Sequence, residues 1–352
     1  YSFFRLHTQT QLEFIFANMN TTRIKKTFVC KYVNDYILST DLAKTHSPQP
    51  GDVALFEVIE LGKHTTVQSD SRRNVAIVEG DVIMAAYGNR YATGQFEGYI
   101  PNAPTEMNDV LAIGGVVGIL KSKNSEFEHI PATKVRLIGY AVDKKGAVIN
   151  TCYYHTPKLS FSGVVPNKAK VILSVGSSMD SGKTTSAAYL CRGLKLAGNK
   201  VAYIKLTGTV YTKDQDLAFD LGADKTVDFA DAGFPSTYMC SKQEILDLYQ
   251  TLLNMLEAAA PDYIVIEIAD GLVQRETEFL LNDPGFMGTV YGVMLSCSDS
   301  LAAFWGFDYL AKLGFTPMVL TGRFTMSPLL INEVQERINI PVLDIKQLSN
   351  KA

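Results

Sequence analysis

Lys183 follows Gly182 and precedes Thr184 and Thr185 in VILSVGSSMDSGKTTSAAYLCRGLKLAGNK, where an apolar strand enters a Gly/Ser-rich loop and a helix follows. Those residue types in that order suit the binding of a phosphate chain. Backbone N–H groups of the loop and of the helix N-terminus would point at phosphate oxygens, and the positive end of the helix dipole adds to them. A side chain at Gly182 would obstruct that approach. Lys183 would reach the β and γ phosphates, and the Thr184 hydroxyl would complete the shell of a Mg²⁺ ion. The wrapping residues are then Gly176, Ser177, Ser178, Met179, Asp180, Ser181, Gly182, Lys183, Thr184 and Thr185. Lys205 closes a second apolar run, VAYIK, and Glu267 follows a third, Ile264 to Ile266. Carboxylates at the C-terminal ends of parallel strands face one crevice, where a hard cation needs oxygen ligands.

The elements that must position these groups are legible in the periodicity. From Lys170 onward apolar runs alternate with helical segments: VILSV, helix, VAYIKL, a polar loop, helix near 242–258, DYIVIEI, TVYGVML, helix near 300–313, and TPMVL. Strands separated by helices mean right-handed crossovers and a parallel sheet buried on both faces. Ser327-Pro328 opens a last helix as N-cap and first-turn proline. Between Phe28 and Tyr154 the pattern differs: FVCKYV, DVALFEVIEL, NVAIVEGDVIMAAYG, AIGGVVGILKS, KVRLIGYAVD and AVINTCYY are short β-rich segments without long helices between them. That half reads as a small barrel or sandwich, and the turns Gly51-Asp52 and Gly80-Asp81 each launch an apolar strand. The expected division is a β-rich domain over 19–156, a linker over 157–169 carrying Pro157, Gly163 and Pro166, and an α/β domain over 170–352. Residues 1–18 precede Met19 and read as an extension rather than the start of a domain.

The 352 residues are 47% hydrophobic and 20% charged, with a formal net charge of -3. No strongly charged partner such as nucleic acid is implied. No apolar run approaches the ~20 residues a membrane-spanning helix needs. The five cysteines, Cys30, Cys152, Cys191, Cys240 and Cys297, are scattered without a CxxC pair, which suits buried thiols in a reducing cytoplasm.

The loop departs from the usual P-loop spacing: five residues, not four, separate Gly176 from Gly182, and Ser177 stands where the first glycine is usual. That spacing resembles the loop of dethiobiotin synthetase, and further landmarks follow in the same order. Lys205 with Thr207-Gly208 is similar to the lysine-bearing end of that family's second strand. KDQDLAFDLGAD resembles its acidic loop, IVIEIADGL its strand-end glutamate, and INIPVLDI its apolar-Pro-apolar C-terminal strand. The resemblance covers about 171–345 and places the chain among the SIMIBI-class P-loop proteins. It implies that Lys183, Lys205 and Glu267 are the catalytic residues, with both lysines on phosphate or transferred-group oxygens. Thr184, Asp216 and Glu267 would surround Mg²⁺; Asp214 competes with Asp216 for that place. Relatives in this class often dimerise across the nucleotide. Departures remain: Ser178 replaces the loop aspartate of the synthetases and IADG follows Glu267, so the biotin reaction itself is not carried over.

Other features complete the reading. Gly-rich AIGGVVGIL suits a tightly packed strand or bulge better than a dinucleotide loop. In the loop GNRYATGQFEGYIP, Arg90 reads as solvated, with an anion contact as its functional alternative. His64, His129 and His155 read as surface or loop histidines. Asp270, Gln274, Arg275 and Glu276 lie on a turn beside the expected γ-phosphate. Thr321, Gly322 and Arg323 stand where a base would be read, and the absence of an NKxD motif after a strand favours ATP, with GTP left open. The expectation is an ATP- and Mg²⁺-dependent cytoplasmic enzyme that uses the γ-phosphate to activate a carboxylate or similar small-molecule acceptor. The alternative is a nucleotide-switched NTPase whose β-rich half engages a partner.

Overall fold

The computed structural model describes residues 23–350; the stretch 1–18 lies outside them. Ten strands occupy the first half: β1 (Lys25–Lys26), β2 (Ile37–Ser39), β3 (Val53–Glu60), β4 (Thr66–Gln68), β5 (Asn74–Ala76), β6 (Val82–Tyr87), β7 (Phe96–Tyr99), β8 (Met107–Ala112), β9 (Val116–Lys123) and β10 (Lys134–Val142). The pairings β6–β3, β3–β10, β10–β8, β8–β9 and β9–β6 form a ring. Five strands therefore close a small barrel, which removes the exposed edges an open sheet would present. The β6–β9 seam is parallel and the other four pairings are antiparallel.

Alternation along these strands explains why both of their faces are apolar. Ala54, Phe56 and Val58 cluster with Ile83, Ala85 and Tyr87 and with Val110, Val117 and Val135 to fill the barrel. The intervening Val53, Leu55, Val82, Met84 and Ala86 belong to a different core, which continues into the second half through Ile204, Phe229 and Phe234. Gly51 (φ 90°) and Gly80 (φ 85°) make the tight turns into β3 and β6, and the aspartate after each accepts a turn N–H, from Gln49 and Val78 respectively.

The second half carries a six-stranded sheet of β11 (Lys170–Gly176), β12 (Val201–Lys205), β13 (Lys225–Asp228), β14 (Tyr263–Glu267), β15 (Val290–Ser296) and β16 (Val319–Thr321), in the order β13-β12-β14-β11-β15-β16 and parallel throughout. Helices α1 (Lys183–Leu196), α2 (Lys213–Asp220), α3 (Lys242–Met255), α4 (Arg275–Leu281), α5 (Ser300–Lys312) and α6 (Pro328–Gln335) accompany it. Val171, Leu173 and Val175 face one core and Ile172 the other, as a doubly covered strand requires. The C-terminal strand ends bring Gly176, Lys205, Glu267, Ser296 and Thr321 to one crest. Central β11 separates β14 from β15 there, the switch point at which open α/β sheets bind ligands.

Some local expectations fail where packing overrides propensity. FVCKYV is not a strand: Phe28–Cys30 forms a buried 3₁₀ turn after β1. AVINTCYY contains a helical turn, Thr151–Tyr154, because the Asn150 side chain accepts from Cys152 N (3.0 Å) and caps it. INIPVLDI contributes a single bridge, Leu320 to Val342, and Ser327 precedes α6 without a side-chain cap. Gly114 and Gly115 form the β8–β9 turn, where a Cβ on Gly114 would lie 2.0 Å from Val210 O of the second half. The segment 157–169 runs along α3, with Leu159 N donating to Thr251 Oγ1 (3.0 Å) and Phe161 N to Asp247 Oδ1 (2.8 Å).

Lys31 crosses between the halves to Asp231 (2.6 Å). Beside that pair, burial and then the Asp231 charge push the Asp228 carboxyl up towards neutrality. A carboxyl raised in the folded state costs nothing while it is protonated in both states. Its penalty grows as pH rises from the ordinary carboxylate range towards the raised value. Asp228→Asn keeps an acceptor for Ala230 N (2.8 Å). The variant is expected to match wild type in acid and to melt higher by about 2–4 °C above neutral pH, read by scanning calorimetry across pH.

Candidate phosphate-binding site

Helix α1 begins at Lys183, directly after Gly182, which adopts a left-handed φ of 99° and offers no side-chain cap. The N–H groups of the first turn therefore lack intrahelical acceptors and open onto the loop. Two close approaches fix the loop's shape. A Cβ on Gly176 would lie 2.3 Å from Ser181 Oγ, and one on Gly182 would lie 3.1 Å from Gly322 Cα. The glycine at 182 thus answers to its backbone conformation and to the 322–323 loop as well as to any phosphate. Arg323 N donates to Ser181 O (3.0 Å), so Gly322 and Arg323, expected from sequence at the base, adjoin the loop. Ser177 N is tied to Ser296 O (2.9 Å), and among the described residues the buried Ser181 hydroxyl has no hydrogen-bond partner.

Lys183 is 6% exposed. Its ammonium donates to Ser178 O (2.7 Å) and, among the described residues, has no carboxylate in ion-pair contact. Burial pushes its pKa down to about 8. A buried cation without a counterion is costly unless an anion joins it.

Next to it lies a neutralised cluster. Thr184 Oγ1 donates to Glu267 Oε1 (2.8 Å), Tyr203 OH to Glu267 Oε2 (2.5 Å), and Lys205 Nζ lies 2.5 Å from Glu267 and 2.7 Å from Asp214. Tyr203 and Lys205 share a face because they are two apart on β12, and Lys205 stands opposite Glu267 in the strand register. Burial alone would lower the Lys205 pKa, but the two carboxylates outweigh it and hold the ammonium above its ordinary value. Burial alone would raise Asp214, and Lys205 reverses that.

Asp216, the metal residue favoured from sequence, lies outside this cluster. It pairs with Arg72 of the barrel half (2.5 Å) and accepts from Thr212. Positions 214 and 216 are two apart on α2 and so project on different sides of the helix; the side that meets Lys205 belongs to Asp214.

Loop, cluster and barrel enclose a chamber of about 480 Å³, lined by Asp180, Lys183, Thr184, Asp214, Glu267 and Asp270 from one half and by Lys63, His64, Arg90, Tyr91 and Gln95 from the other. Asp180 (φ 60°) and Asp270 (φ 62°) are non-glycine residues held in the left-handed region, a strain found preferentially at functional sites. Burial raises the Asp270 carboxyl to about 6, against the pull of Lys183 and Lys205. Glu276 and Gln274 are buried with each other behind it, with Arg275 on Glu276 (2.5 Å). His64 and Arg90 are each 7% exposed, not solvated as their loop settings suggested. Sequence reasoning also passed over Lys63 and Gln95; the available signal was their position beside Gly-rich turns at strand ends.

No family model matches the chain, and no curated protein matches it. Solved structures that align with about half of it include the signal recognition particle receptor FtsY from Elizabethkingia anophelis in complex with GDP (15% identity, 54% of this chain and 61% of that one, TM-score 0.34). Others are the hydrogenase maturation factor HypB from Archaeoglobus fulgidus (11%, 51% and 83%, TM-score 0.34) and FlhF complexed with GMPPNP/Mg²⁺ (14%, 51% and 69%, TM-score 0.29). The chain thus spans about three fifths of the FtsY chain. Among the described residues, no helix is long and apolar enough to cross a membrane.

The exchange of Asp216 for Asp214 is testable by stability alone. Asp214→Ala strips Lys205 of one of two partners and is expected to cost about 1–3 kcal/mol in urea unfolding. Asp216→Ala, which breaks a half-exposed pair, should cost less than about 1 kcal/mol.

Proposed function

We propose that this chain is a SIMIBI-type P-loop protein that binds a magnesium nucleoside triphosphate on the loop 176–185 and passes its terminal phosphate to a small-molecule acceptor in the chamber between the two halves. The observation that carries the nucleotide reading is Lys183: a buried ammonium without a carboxylate partner among the described residues, at the open head of a helix. Phosphate oxygens supply the direct ionic contact that Lys183 lacks among the described residues.

The donor set suits Mg²⁺. Thr184, Asp214 and Glu267 offer one hydroxyl and two carboxylates, all hard oxygens. The described residues hold no group of three or more His, Cys, Asp or Glu able to cage a metal. Mg²⁺ needs no such cage, since it commonly takes one or two carboxylates together with substrate phosphates and water. When bound it neutralises charge on the phosphates. Lys205, now between Asp214 and Glu267, keeps their charges from repelling one another and is near enough to the crest to turn towards a transferred group. Asp270, with its carboxyl raised to about 6, is placed to exchange a proton near neutral pH with an acceptor in the chamber.

An enzyme is preferred over a nucleotide switch because side chains of this same chain line the space beyond the loop. The acceptor class retains the expectation of a carboxylate or similar group. Calorimetry with Mg·ATP and Mg·GTP should give saturable binding that Lys183→Ala weakens by at least about a hundredfold. Asp214→Asn should blunt the Mg²⁺ dependence while Asp216→Asn leaves it intact. Nucleotide binding that survives Lys183→Ala unchanged would overturn the assignment, and the preference between ATP and GTP would fix the base.

A further inference from the structure

The barrel wall of the chamber holds two cations that the nucleotide site does not use. Arg90 is anchored by its backbone, which exchanges hydrogen bonds with Gly98 (2.8 and 3.0 Å). Its guanidinium donates to Gln95 Oε1 (2.5 Å) and to Leu111 O, with His64 Nε2 at 3.4 Å, and its Nε has no partner among the described residues. Among the described residues the Lys63 ammonium has no hydrogen-bond partner, and it lies 3.5 Å from the Phe127 ring centroid and 4.8 Å from that of Phe96. Neither cation forms an ion pair with a carboxylate among the described residues, whereas Lys205 across the chamber has two. Burial and then the Arg90 charge lower Lys63 to about 8; burial lowers Arg90 to about 10, against the pull of Asp270. His64 between them stays neutral, since burial and Arg90 drive it down to about 3.

A buried guanidinium and a half-buried lysine whose ammonium is shielded from solvent, neither in ion-pair contact among the described residues, are a costly arrangement for one wall and a useful one for an anion. A planar guanidinium with one N–H direction free and an aromatic-framed ammonium suit the oxygens of a carboxylate or phosphate. The wall faces Lys183 and Thr184, so an anion held there would lie towards the nucleotide's terminal phosphate.

We propose that Arg90 and Lys63 form an oxyanion subsite of the barrel half, which binds a carboxylate or phosphate group of the acceptor and so makes that acceptor an anionic metabolite. This deepens the enzyme reading above and rests on it for the word acceptor; the subsite itself can be tested apart from it. The probe is inorganic phosphate at constant ionic strength, titrated by calorimetry into the full chain saturated with Mg²⁺ and a non-hydrolysable triphosphate, and separately into Lys183→Ala without nucleotide. Binding is expected in both, and Arg90→Gln or Lys63→Gln should weaken it by about tenfold or more. Lys63→Gln serves as the control for folding, because that side chain carries no hydrogen bond whose loss would unfold the wall. Acetate in place of phosphate distinguishes carboxylate from phosphate as the preferred group.

Phosphate that binds neither protein, or binds the variants as well as their parents, overturns the subsite. If the two variants weaken the triphosphate but not the diphosphate, the cations address the γ-phosphate instead and the acceptor assignment falls. If wild type binds no nucleotide yet Lys183→Ala still binds phosphate through Arg90 and Lys63, the subsite stands and the nucleotide reading fails.

Discussion

Burial of the barrel's outer face against the α/β half is the constraint on which the rest depends. A five-stranded barrel needs only its lumen filled, yet Val53, Leu55, Val82, Met84 and Ala86 on the other face are equally apolar and lie in a core that runs on to Phe229 and Phe234. Leaving that face wet would forfeit roughly 25 cal/mol for each Å² of apolar surface. The two halves are therefore held as one packed unit. Polar contacts fix the register: Gln68 with Thr212 (2.8 Å), Lys31 with Asp231 (2.6 Å), and Gly114 pressed on Val210. The chamber is a consequence, since the barrel is pinned with Lys63 and Arg90 over the crest of the parallel sheet.

Charge is distributed unevenly around that chamber, and the unevenness is informative. Lys205 is neutralised twice over, by Glu267 and Asp214, and with Tyr203 and Thr184 it forms a network that holds the carboxylates in place. Lys183 and Arg90 are buried and Lys63 half-buried with its ammonium shielded, and among the described residues each has only neutral groups in direct contact. Pairing cannot be the reason these three are inside, and burial opposes their charge. The fold supports that cost through the Ser178 carbonyl on Lys183, the Arg90–Gly98 bridge and the aromatic frame around Lys63.

Strain marks the same region. Asp180 and Asp270 sit at positive φ on facing loops, and Gly271 approaches so closely that a Cβ there would lie 2.7 Å from Ser177 O. The loop after β14 and the phosphate loop are thus in contact, which couples any movement of one to the other.

The sequence by itself determined the strand, loop and helix around Lys183, five of the six parallel strands (α2 and edge strand β13 lie in what reads as a polar loop), the closely matched helices α3 and α5, and the identity of Thr184, Lys205 and Glu267 as crest residues. These are local facts: period, turn chemistry and a motif whose residues are neighbours along the chain. The tertiary structure alone decided between Asp214 and Asp216, because the choice depends on which side of α2 meets Lys205 and which meets Arg72, a residue some 140 positions away. It alone made Arg90 and His64 buried. A polar loop carries no sign of what will cover it, and here the cover arrives from the other half of the chain. Period and motif are written within one segment, whereas burial and charge pairing are properties of two segments brought together, and only packing says which two.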